Sequence, residues 1–119
     1  YNINYDAEKG RVYCFANPQC QYILDHYDEI IKPLRERGMK VIISVLGNHD
    51  MAGLAQLSDM GAREFAKEMA ALVYGYGFDG INYDDEYSAS PDTSIPWFTR
   101  PSVAAGDRLY FETKKAMPD

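Results

Sequence analysis

Asn82, Asp84 and Glu86 alternate in the run Ile81-Asn82-Tyr83-Asp84-Asp85-Glu86, which follows a short apolar stretch. In an extended strand alternate residues share a face, so these three point one way while Ile81, Tyr83 and Asp85 point the other. Polar groups on one face of an apolar strand are costly unless each finds a partner. Asn82 lies within the strand and requires one. Crowded carboxylates that lose solvent raise one another's pKa, and a Glu held protonated in this way serves as a general acid. The same oxygens suit Mg²⁺ or Ca²⁺, with Asp84 and Glu86 converging and Asp85 facing away. The plain structural alternative is a strand that runs out into water as a solvated acidic turn.

A second polar cluster, Ser44 with Gly47-Asn48-His49-Asp50, closes the apolar run at 40–46. Gly-Asn-His-Asp after a strand resembles one block of the metallophosphoesterases. Those enzymes need further Asp and His blocks, and the chain has one other histidine, His26, within a helical stretch. A metal-dependent phosphoesterase is therefore the weakest reading. Cys14 and Cys20 match no usual metal or redox spacing and read as small hydrophobic residues, with a disulfide left open.

These clusters need elements to hold them. The segment 1–6 is polar with alternating larger residues and ends in a turn at Glu8-Lys9-Gly10; 11–15 reads as a short strand paired through that turn. Asn17-Pro18 caps and starts a helix to about residue 37. Ile23, Tyr27, Ile30, Ile31 and Leu34 share its apolar face. Pro33 should kink it and Gly38 end it. The continuous apolar run at 40–46 predicts a strand buried on both sides, of the kind parallel sheets use. Ser58 or Asp59 caps a helix at about 60–76, followed by a strand at 78–83. A proline-rich loop at 88–101 leads into a last helix at about 104–116. The count is three strands and three helices.

Strands alternating with helices predict a parallel α/β sheet, whose ligands bind outside the carboxyl ends of the strands. Both polar clusters lie at those ends. A complete (β/α)₈ barrel takes roughly 250 residues. At 119 residues the chain matches at most about half of one.

Composition narrows the partners. Twelve Lys and Arg stand against 18 Asp and Glu, a net charge of −6, which excludes a general nucleic-acid backbone binder. Hydrophobic residues at 46% and charged residues at 25% fit an ordinary globular chain. The apolar run at 41–46 is far short of the roughly 20 residues that cross a bilayer. No membrane span is expected. Ten Tyr, five Phe and one Trp are common in proteins that handle sugars, though aromatic rings also pack cores.

The run Asp79-Gly80-Ile81-Asn82-Tyr83-Asp84-Asp85-Glu86-Tyr87 closely resembles the DGxDxDxE signature of glycoside hydrolase family 18. The strand Lys40-Val41-Ile42-Ile43-Ser44-Val45-Leu46-Gly47 looks like that family's second marker. Ser44 to His49 and Asp84 to Tyr87 are similar to the endoglycosidase-H-like endo-β-N-acetylglucosaminidase subgroup, as are Asn2-Ile3-Asn4-Tyr5-Asp6 and Ile31-Lys32-Pro33-Leu34. The resemblance spans nearly the whole chain.

It implies a partial (β/α)₈ TIM barrel, from the end of strand 2 through helix 4, with residues 1–119 a fragment of one catalytic domain. It implies hydrolysis of the β-1,4 linkage between the N-acetylglucosamine (GlcNAc) residues of the N-glycan chitobiose core, by substrate-assisted retaining catalysis. A chitinase-like substrate, or a catalytically impaired lectin-like member, is the alternative. Glu86 is then the acid and Asp84 the electrostatic partner. Asn82 stands where the family has Asp. Asp79 is expected to anchor the strand end. Ser44 fits either packing or the hydrogen-bond network under the acids. Asn48, His49 and Tyr87 are candidate cleft residues, and Trp97 either stacks on a sugar or packs on the surface. The resemblance implies no cofactor or metal, a GlcNAc-containing glycan or glycoprotein as substrate, and an extracellular, periplasmic or cell-surface location. The fragment alone is expected to be inactive.

Overall fold

The computed structural model describes residues 1–47, 53–84 and 95–117. It opens on a hairpin in which β1 (Asn2–Asp6) and β2 (Arg11–Phe15) pair antiparallel, from Asn2 opposite Phe15 to Asp6 opposite Arg11. Asp6 closes the turn, its Oδ1 accepting from the Glu8 and Lys9 amides at 3.0 and 3.2 Å. Gly10 supplies the positive φ of +62° that ends it.

The expected helix after Asn17-Pro18 forms in three pieces: α1 (Pro18–Asp25), α2 (Tyr27–Ile30) and α3 (Lys32–Glu36). Asn17 caps α1, accepting from the Cys20 amide at 2.8 Å. Pro33 accounts for the second break, because it sits in the first turn of α3 where its missing N–H leaves no bond unmade. Leu24 and Ile31 are buried, and Ile23, Tyr27 and Ile30 pack against the core. Leu34 is exposed, against expectation.

Next come β3 (Ile42–Leu46), a 3₁₀ turn at Leu54–Gln56, α4 (Asp59–Tyr76), β4 (Gly80–Asp84) and α5 (Val103–Ala116). Ser58 caps α4, accepting from the Gly61 amide at 3.1 Å. Ser102 caps α5, accepting from the Ala105 amide at 3.0 Å. The segment before α5 is stitched to the start of α4: the Ser58 amide donates to the Trp97 carbonyl, and the Thr99 amide to the Gln56 carbonyl.

The sheet order is β2-β1-β3-β4. β3 and β4 run parallel in register from Ile42 opposite Gly80 to Leu46 opposite Asp84, and β1 joins β3 in parallel at Asn2 opposite Leu46. The three-strand expectation is therefore corrected. The segment 2–6 is a fourth strand, and it, not 11–15, is the parallel neighbour of β3.

One sheet face carries the core. Ile3, Val12, Ile43, Val45 and Tyr83 join Phe65, Met69 and Val73 of α4 and Leu109 of α5. On the opposite face Ile42 is 54% exposed, and Ser44 and Asn82 are exposed. Within the described residues of this chain, β3 is covered on one face. Ile42, apolar on the open face beside Ser44, hid the alternation.

Candidate active site

The parallel register turns sequence spacing into rows across the open face. Ser44 lies opposite Asn82, and Leu46 opposite Asp84. Asn82 Nδ2 donates to Ser44 Oγ at 3.2 Å, which supplies the partner that a mid-strand amide requires. Ser44 thus belongs to the polar network, not to the packing of the core. The hydrogen bond of Asn82 runs sideways to the neighbouring strand.

The row through Asp84 extends further. Asn2 lies opposite Leu46 and Phe15 opposite Asn2, so Phe15, Asn2, Leu46 and Asp84 share one line and one face. Asn2 Nδ2 donates to the Gly47 carbonyl at 3.3 Å, tying β1 to the end of β3. The alternation within 1–6 was the sequence signal for this strand, but it did not place Asn2, Asn4, Tyr13 or Phe15 on the face that carries Asp84. Glu86, Tyr87, Asn48 and His49 lie outside the described residues. Trp97 is half-buried and packs against the core.

Two contacts hold β4 from below and behind. Asp79 takes the anchoring role expected of it. Arg35 Nε and Nη2 donate to its two carboxylate oxygens at 3.1 and 2.9 Å, and the Val41 amide donates to Oδ2 at 2.8 Å. The guanidinium, in bidentate contact, holds the Asp79 carboxyl below the usual carboxylate range. Arg35 also donates to the Tyr27 hydroxyl at 3.2 Å, and that hydroxyl donates to the Gly77 carbonyl at 2.8 Å. From the core side, Tyr83 meets Thr113 Oγ1 at 2.8 Å. Thr113 spends its own proton on the Leu109 carbonyl at 2.7 Å, so Tyr83 is the donor. Burial pushes the Tyr83 phenol up to about 12.

Arg11 Nη2 donates to Glu68 Oε1 at 3.1 Å, while Glu68 Oε2 is buried without a partner and burial raises that carboxyl's pKa. Cys14 and Cys20 are both free thiols, and burial pushes Cys14 up to about 12. Among the described residues, no group of three or more His, Cys, Asp or Glu gathers to hold a metal, and no helix is long and apolar enough to cross a membrane.

Chemically, the face offers a strand-end carboxylate above an amide–hydroxyl pair, with an amide and an aromatic ring on the same line. The chain is homologous to the endo-β-N-acetylglucosaminidases, a class of glycosidases. It is 45% identical over 118 residues to endo-beta-N-acetylglucosaminidase F1 of Elizabethkingia meningoseptica, a match that covers 99% of this chain and 35% of that protein. It is 43% identical over 103 residues to an endo-beta-N-acetylglucosaminidase of Flavobacterium sp. (strain SK1022), covering 86% of this chain and 32% of that one. The structure matches EndoBT-3987 of Bacteroides thetaiotamicron, solved in complex with a Man9GlcNAc2Asn substrate. That match has a TM-score of 0.97 and 56% identity, over 99% of this chain and 30% of that one. The same enzyme solved with a Man5GlcNAc product matches at a TM-score of 0.96 and 58% identity, over 99% of this chain and 28% of that one. The chain spans about a third of the length of these relatives. No family model matches it.

Proposed function

We propose that residues 1–119 are a segment of the catalytic domain of a family 18 glycoside hydrolase. It would cleave the β-1,4 bond between the two GlcNAc residues of an N-glycan core. The observation that carries this reading is the 56% identity, at a TM-score of 0.97, to an enzyme solved with Man9GlcNAc2Asn. The barrel assignment is part of the proposal. β1, β3 and β4 are successive parallel strands, corresponding to barrel strands 2 to 4, and their helix-free face is the barrel interior.

The chemistry is the one that the family resemblance implies. Glu86 protonates the glycosidic oxygen, and the C1–O bond breaks as the substrate's own 2-acetamido oxygen attacks C1. The product is an oxazolinium ion, whose charge the Asp84 carboxylate stabilises while orienting the acetamido group. Glu86, now ionised, takes a proton from water as that water opens the ring at C1, which regenerates the acid and retains configuration. An internal nucleophile has a large entropic advantage, so the protein needs only an acid and an electrostatic partner. Tyr87, Asn48 and His49 are assigned to the sugar cleft, with Ser44 and Asn82 beneath the acids. An extracellular or cell-surface location is proposed from the resemblance alone.

The test is intact mass spectrometry of a high-mannose glycoprotein treated with the full-length protein and with its Glu86→Gln variant. Release of the glycan with one GlcNAc left behind, lost in the variant, is the expected result. Asn82, in place of the family's Asp, favours a second reading, a lectin-like member that binds without turnover. Glycan binding with no mass change in either protein would select it.

A further inference from the structure

The end of the sheet opposite Asp84 carries its own charge pattern. β3 and β4 start there, at Ile42 and Gly80, and residues 32–40 lead into β3. Every residue of 32–40 is exposed. The strip holds Lys32, Arg35, Arg37 and Lys40, four of the chain's 12 Lys and Arg, against one acid, Glu36. A chain of net charge −6 thus has a local excess of cations.

Arg35 is engaged by Asp79. Lys32, Arg37 and Lys40 form no ion pair with a described residue. Lys32, Met39 and Lys40 line one open cleft, whose two acids are Glu36 and the Asp79 that Arg35 holds. Asp28 and Glu29 lie on α2 and line no part of that cleft. Lys114 of α5 reaches the same end, beside Asp79 and Gly80. Leu34 and Met39, both exposed, stand among these cations.

A stable protein interface takes about 20–30 residues a side, and the strip 32–40 supplies far fewer. A layer of anionic lipid needs no such area. Lys and Arg reach its phosphates from flexible stems, while Leu34 and Met39 enter the interface. The acids at the other end oppose this little. Asp84 stands at the far end of β4, about 13 Å along the strand, beyond the screening length of about 8 Å at physiological salt.

We infer that the strip 32–40, through Lys32, Arg37 and Lys40 with Met39, docks the protein on a surface of anionic phospholipid. The Asp84 end is then turned away from that surface. This goes beyond the glycosidase reading and does not depend on it.

The experiment is co-sedimentation of the full-length protein with vesicles of phosphatidylglycerol in phosphatidylcholine, and with phosphatidylcholine alone. Binding is expected to the anionic vesicles only, and weakens with added salt. Lys32→Gln, Arg37→Gln and Lys40→Gln each raise the vesicle Kd about fivefold, the factor for one basic residue near an anionic surface. Met39→Ala raises it by a smaller factor, Lys40→Arg leaves it unchanged, and none of these exposed positions shifts Tm. Equal binding to both vesicles, or none to either, would overturn the proposal. So would the same loss from Arg63→Gln and Lys67→Gln on α4, which would reduce the effect to net charge. Binding of soluble polyglutamate through Lys32, Arg37 and Lys40, with none to anionic vesicles, would give the strip to an acidic polypeptide and overturn the lipid.

Discussion

Asn82 Nδ2 donates to Ser44 Oγ at 3.2 Å across the parallel pair of β3 and β4, directly below the row that ends in Asp84. A neutral amide therefore occupies the place beneath the carboxylate where the related glycosidases are expected to hold a second acid.

Asn82→Asp returns that acid. A carboxyl two residues from Asp84 on the same face adds a like charge, which raises the pKa of the pair. The acidic limb of kcat/KM against pH should gain an ionisation, and the rate should rise severalfold. An unchanged rate and profile would sink the idea. Ser44→Ala removes the cross-strand acceptor and should shift the same limb in Asn82→Asp by less than the Asp itself.

Arg35→Ala removes the clamp on Asp79. Because Arg35 depresses the Asp79 pKa in the fold, the ion pair stabilises above the unfolded Asp value of about 4 and is lost as pH falls through the lower folded value. The Tm difference between the variant and the unaltered protein should be full at pH 7 and should close below about pH 4. A difference that stays constant from pH 7 to pH 2 would assign the effect to packing.

Gly61→Ala should destabilise. A Cβ at Gly61 would clash with the Trp97 carbonyl oxygen, a backbone atom held by the Ser58 amide. Overpacking of this kind costs about 1–3 kcal/mol. The urea midpoint of the variant measures it. An unshifted midpoint would mean that the segment around Trp97 moves freely.

Alkaline pH should loosen the seat of β4. The raised Tyr83 pKa, about 12, means that the buried phenol contributes stability in full below its unfolded pKa of about 10 and loses it between 10 and 12. That loss is about 2 kcal/mol. Tyr83→Phe gives up the bond to Thr113, about 1 kcal/mol at pH 7, and should lose less over the alkaline range. Thermal melts from pH 8 to 12 compare the two.

Much of this was legible before any coordinates. Asn17-Pro18, Ser58 and Gly38 marked helix ends because capping and left-handed backbone are local matters. The alternation of Asn82, Asp84 and Tyr83 gave the facing of β4 correctly for the same reason. The apolar run at 40–46 did not tell its two faces apart, since Ile42 and Ile43 look alike in sequence while their exposures within this chain are 54% and 3%. What separates them is the placement of α4, a tertiary fact. The break at His26 has no local breaker. The contacts of Arg11 with Glu68 and of Leu57 with Phe98 join residues 57 and 41 positions apart, a distance at which no sequence pattern speaks. Phe15 and Asn2 joined the row of Asp84 only through the parallel register of β1.

The interleaving of β4 constrains how such a chain can change. Even-numbered positions from 80 to 84 face the open side of the sheet and odd-numbered ones face the helices, so core and chemistry are written in alternate letters of one word. Deleting one residue near Gly80 would exchange the two sets, exposing Tyr83 and driving Asp84 under α5. Substitution can tune this strand, as Asn82 illustrates, but a change of length there removes the packing of Tyr83 and the placement of Asp84 together.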